Sequence, residues 1–96
     1  MSDTQVLTTG TTQTIAVASA SAATSAAFSE NSRVVRVVCT VDCHLEFADS
    51  PTAATTDLLL PADHVEYFKI PSNGTTKLAA IRGGSTDGTL RVTEFE

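Results

Sequence analysis

The sequence predicts an all-β protein, a small antiparallel β-sandwich or barrel of about seven or eight short strands with a flexible N-terminal arm. Three observations predict it. Apolar and polar residues alternate with a period of two in several stretches, most clearly across Arg33–Ala48. Clusters of Gly, Pro, Asn, Asp and Ser punctuate the chain at a spacing of roughly ten residues. No stretch needs an amphipathic helix to account for it.

Arg33–Ala48, RVVRVVCTVDCHLEFA, is the longest and most apolar run. Val35, Val37, Cys39 and Val41 share one parity, and Val34, Arg36, Val38 and Thr40 the other. Beyond Asp42, the residues Cys43, Leu45 and Phe47 alternate with His44, Glu46 and Ala48. Sixteen residues are too many for one strand, since strands usually hold about five or six. The run therefore breaks near Val41-Asp42-Cys43. A three-residue loop there sets Cys39 opposite Leu45 and Val37 opposite Phe47, which keeps both apolar sets on one face. The expectation is a central hairpin with one apolar side.

The other elements follow in order. Met1–Gly10 is polar and reads as a loose arm, with Val6 and Leu7 as anchors available to a neighbouring chain. The folded domain then spans 11–96. Thr11–Ser19 alternates as a strand, with Gln13, Ile15 and Val17 on one face. Ala20–Ala27 is rich in Ala, Ser and Thr, has no large apolar residue at helical spacing, and reads as a strand ending at Phe28. Ser29–Ser32 and Asp49-Ser50-Pro51 are turns, and Thr52–Thr56 is a loop or edge segment. Leu58–Leu60 is a short strand, because the residue before Pro61 is pushed towards extended backbone. His64–Ile70 is a strand with Val65 and Tyr67 on one side and Glu66, Phe68 and Ile70 on the other. Large side chains on both faces suggest contact with two layers or with another chain. Pro71–Gly74 is a turn, Lys77–Arg82 a strand, Gly83–Gly88 a loop, and Thr89–Glu94 the last strand with Leu90 and Val92 inward. Phe95 breaks that parity.

Ninety-six residues make one domain with a modest core. The net charge of −5 and six scattered basic residues argue against nucleic acid as a partner, because binding a polyanion needs clustered Lys and Arg. No run of about eighteen apolar residues is present to cross a membrane as a helix. The first ten residues lack the positive start and apolar block of a signal peptide. The expected location is the cytoplasm, at least until assembly into something larger.

No motif rises to catalysis. Cys39, Cys43 and His44, with His64 further on, are the only group that suggests a metal or a disulfide. On a continuous strand the two cysteines stand roughly 13 Å apart, too far for either. With a turn between them, Cys43 falls in the loop while Cys39 points inward. The expectation is two buried free thiols, each acting as a small hydrophobe, with no cofactor and no metal. Cys43 and His44 are strand neighbours and point to opposite faces, which denies them a nucleophile–base geometry. Gly83, Gly84 and Gly88 form a hairpin loop and match no phosphate-binding fingerprint. The non-enzymatic reading is favoured instead. Apolar or small residues on both strand faces, with few charges, suit chain-on-chain packing. The expected interface residues are Val6, Leu7, Phe68, Ile70 and Phe95.

Three runs also carry a resemblance: VVRVVCTVDCHLEFADSPTA, LLLPADHVEYFKI and KLAAIRGGSTDGTLRVTE. Together they resemble small proteins encoded in the structural gene clusters of tailed bacteriophages. The shared pattern is a Val-rich strand, a T-x-D-C-H turn, a Pro-Thr-Ala segment, a Leu-Pro-Ala turn before E-Y-F, and a closing G-T-L-x-V-T-E strand. One departure is Ala48, where the pattern leads one to expect Gly. The resemblance implies a virion β-sandwich, a head decoration or cement protein that binds the major capsid protein or another virion protein. It also implies a homo-oligomer, a trimer being favoured at a symmetric position on a shell. The alternative is a tail, fibre or connector accessory with a receptor- or carbohydrate-binding role.

Overall fold

The computed structural model describes residues 9–96, so Val6 and Leu7 and most of the expected arm lie outside the described residues. Thr9 and Gly10, placed in the arm by the sequence, already belong to the first strand. Eight strands are present: β1 (Thr9–Val17), β2 (Ala22–Ala23), β3 (Val34–Cys39), β4 (Cys43–Ala48), β5 (Leu58–Leu60), β6 (Glu66–Lys69), β7 (Lys77–Arg82) and β8 (Gly88–Phe95). They form two four-stranded antiparallel sheets, ordered β1-β8-β3-β6 and β2-β7-β4-β5. This is a sandwich and not a closed barrel, since no strand joins the two sheets.

Alternation explains what lies between the sheets. Ile15 and Val17 of β1, Val35, Val37 and Cys39 of β3, and Leu90 and Val92 of β8 point inward from the first sheet and are buried. Cys43 and Leu45 of β4, Leu60 of β5 and Leu78 and Ala80 of β7 meet them from the second. A row of three phenylalanines crosses the core. Phe28 lies 6.4 Å from Phe47, and Phe47 lies 5.3 Å from Phe68, centroid to centroid. Both spacings fall in the range where tilted rings attract.

The expected central hairpin is absent. Cys39 pairs with Leu90 and Val37 with Val92, while Leu45 pairs with Leu58 and Ala80, and Phe47 with Leu78. β3 and β4 belong to different sheets, so Thr40-Val41-Asp42 spans the gap of about 10 Å between packed sheets. Each end of this link is pinned to its own sheet. Thr40 N–H donates to the Thr89 carbonyl (3.1 Å), and Gly83 N–H donates to the Asp42 carbonyl (2.7 Å). Val41 packs onto Gly88 so closely that a Cβ there would sit 2.6 Å from a Val41 methyl, which requires glycine at 88. The two apolar sets do face a common core, but from opposite sides of it.

The Ala20–Phe28 strand shrinks to the two residues of β2. The rest of this segment still follows β7, with Thr24 N–H donating to the Leu78 carbonyl and Phe28 N–H to the Thr76 carbonyl, both at 2.8 Å. Small side chains here give no continuous apolar face to bury, so the ladder is broken. The turn at Pro71–Gly74 forms as expected, with Gly74 at φ +75°, a conformation glycine adopts without strain.

Candidate interaction surfaces

Glu94 continues the inward parity of Leu90 and Val92 and is buried. Its Oε1 accepts the Ser29 N–H (2.8 Å) and the Ser32 hydroxyl (2.6 Å). A buried carboxylate needs such donors, and short charge-assisted bonds hold the Ser29–Ser32 turn against the end of β8. The sequence reading ended the inward set at Val92. The signal that points to Glu94 was the same parity carried two residues further, opposite a Ser-rich turn.

The candidate metal and thiol residues diverge in part. Cys43 opens β4 and is fully buried, not held in a loop, because the link crosses sheets. Cys39 faces it from β3, and both are free thiols. The Cys43 thiol is pushed up to about 12, first by burial, then by Cys39 and Asp42 beside it. It therefore stays protonated at neutral pH and behaves as a packing group. His44 lies on the opposite face of β4, its Nδ1 2.9 Å from the Asp57 carbonyl. His64 pairs with Glu66 at 3.0 Å. Among the described residues, no three His, Cys, Asp or Glu side chains gather as a metal site.

The expected interface residues fall on both sides of the wall. Ile70 is 4 % exposed and belongs to the core, and Phe68 packs against it. Their side chains are committed inward. Phe95 is half-buried on the outer face of the first sheet, its ring 6.1 Å from that of Tyr67.

The large apolar side chains that are exposed lie elsewhere. Among the described residues they are Leu58 (55 %), Leu59 (50 %), Val65 (38 %) and Tyr67 (55 %). All four fall in the stretch from β5 to β6, the two edge strands of one flank. The backbone of β6 is open there as well. Ile70 N–H donates to the Arg33 carbonyl at 2.8 Å, and antiparallel alternation then turns Phe68 and Glu66 towards β3. The N–H and C=O groups of Tyr67 and Lys69 point off the sheet. Among the described residues, this flank is an apolar surface beside an unpaired strand edge, the combination that invites another chain.

A shallow cavity of about 320 Å³ opens at the crossover end, lined by Thr40, Val41, Asp42, Ala62 and the Gly84–Thr86 loop. The Asp42 carboxylate in it already accepts the Ala62 N–H at 2.7 Å. Other carboxylates are engaged in the same way: Glu46 by Thr52 N–H, Asp49 by the Thr75 hydroxyl, Asp57 by Ala54 N–H and Asp87 by Arg82.

No family model, curated protein or solved structure matches this chain.

Proposed function

We propose that this chain is a non-enzymatic structural protein of a phage virion, a capsid decoration or cement protein that binds the head shell and neighbouring copies of itself. The observation that supports the reading is the β5–β6 flank, where every exposed large apolar side chain among the described residues gathers beside an open strand edge. A rigid sandwich presenting one such flank is suited to repeated contacts on a lattice. Each contact buries modest apolar area, and avidity on the repeated shell multiplies it. The protein is then assembled in the host cytoplasm and resides in the virion, as a trimer contacting the major capsid protein. The second reading, a tail or fibre accessory that binds carbohydrate, draws on the hydroxyl-lined cavity at Thr40, Ser85 and Thr86. It ranks second because no aromatic side chain lines that cavity for a sugar to stack on.

Two measurements test the first reading. Light scattering over a dilution series reads the solution mass of the pure chain and of a Leu59→Lys/Tyr67→Lys variant. The expected result is a trimer that the variant reduces to monomer. Immunogold labelling of phage particles made in cells that carry the gene reads attachment, and gold on the heads is expected. A monomer at every concentration, together with unlabelled particles, overturns the reading.

A further inference from the structure

The basic residues look scattered along the sequence, but the first sheet gathers three of the six into one line. Arg91 of β8 stands opposite Val38 of β3, Arg36 of β3 stands opposite Thr93 and Tyr67, and Lys69 of β6 stands opposite Val34. Buried neighbours of opposite parity put all three side chains on the outer face. Each cation is thus two residues off the directly opposed partner of the next, a diagonal neighbour at roughly 7–8 Å. The result is a straight diagonal stripe, Arg91–Arg36–Lys69, flanked by Thr93, Val38 and Tyr67.

Among the described residues, no side chain on that face answers the charge. The other outward side chains of the four strands are Thr, Val, Ala, Tyr or Phe, with no carboxylate among them. Among the described residues, none of the three cations makes an ion pair. Glu96, just past the end of β8, lies beside Gly10 on β1, at the opposite edge of the sheet from Lys69. Like charges on neighbouring strands destabilise a sheet. A chain with eleven acidic residues has placed three mutually repelling cations together, with none of the acids of the described residues among them.

We infer that this stripe is a docking surface for the acidic surface of a different protein, seated across β8, β3 and β6. Charge complementarity defines the occupant, and Arg with Tyr supplies the side chains that most often anchor such contacts. Two other occupants fit less well. A nucleic acid would find Tyr67 and Phe95 packed on each other instead of standing apart to receive bases. A second copy would bring few free carboxylates, because most of its own are engaged at turns or by its own basic residues. This surface adjoins the β5–β6 flank and shares Tyr67 with it, but its charge sets it apart, and the inference stands whether or not the virion reading does.

The test uses the full chain with two labelled probes of equal charge, a poly-glutamate peptide and an oligo-dT strand, followed by fluorescence anisotropy at low salt. The expected result is tighter binding of the peptide, weakened at least tenfold by Arg36→Gln/Arg91→Gln and by less than twofold by Lys77→Gln on the other sheet. A thermal melt gives a second readout without any probe. Relief of the repulsion raises the melting temperature of Arg36→Gln at low salt, and the gain vanishes at high salt. Tighter binding of oligo-dT overturns the inference. So does self-association that the double variant abolishes, or a melting temperature lowered equally at both salt concentrations.

Discussion

On one side of the sandwich, β1 and the segment after β2 are stitched together. The Gln13 side chain donates to the Ala26 carbonyl (3.0 Å) and accepts the Ala26 N–H (3.1 Å), in the manner of a strand partner. The exposed positions of β1 are Thr, Ala and Gly, and its register shifts between Thr9 and Thr12. On the other side, β5 and β6 stand with exposed leucines and Tyr67. Both flanks end in edge strands, which are liabilities for any sheet protein. One is blunted by polar side chains, a shifted register and a bidentate amide. The other is left open. Both flanks share one topology, so the difference between them lies in a few side chains.

Three substitutions sharpen this contrast, in order of effect. Phe28 ends the aromatic row beneath the closed flank and is 1 % exposed. Phe28→Ala is expected to cost about 3–5 kcal/mol, read as a lower urea midpoint with an unchanged slope. Glu94 holds the turn that leads from the closed flank into β3. Glu94→Ala strands two donors and is expected to cost about 1–3 kcal/mol, with faster exchange of the Ser29 amide as the local signature. Gln13→Ala unstitches the flank itself. It is expected to cost about 1 kcal/mol and to increase concentration-dependent association over that of the native chain. If Gln13→Ala leaves both stability and solution mass unchanged, the clamp is not what closes the flank.

Much of the fold was legible in the residues. Period-two alternation named the inward sets on β1, β3, β4 and β8, and turn chemistry placed Ser29–Ser32 and Pro71–Gly74. Alternation reports which side of a strand is buried, but it carries no label for the strand alongside. That is why Cys39 and Leu45 were rightly given a common core and wrongly given a common sheet. Six of the seven connections cross between sheets, and only β4–β5 stays within one. With so few local pairs, sequence proximity is a poor guide to partners. The same limit hid the cation stripe, whose members lie at 36, 69 and 91. It also misdirected the interface reading at β6, where Ile70 and Phe68 turned inward and left Tyr67 outside.

Local residue patterns were enough to specify the class of the fold, the faces of most strands, the main turns and the packing role of the two thiols, because each depends on local backbone preference and on the two-residue period. Tertiary structure alone decided strand order, the crossover at Thr40–Asp42, the burial of Glu94, and which side chains share a surface. Those depend on pairings between residues far apart in the chain, where the gain comes from joint burial and hydrogen bonding, and no single stretch encodes them.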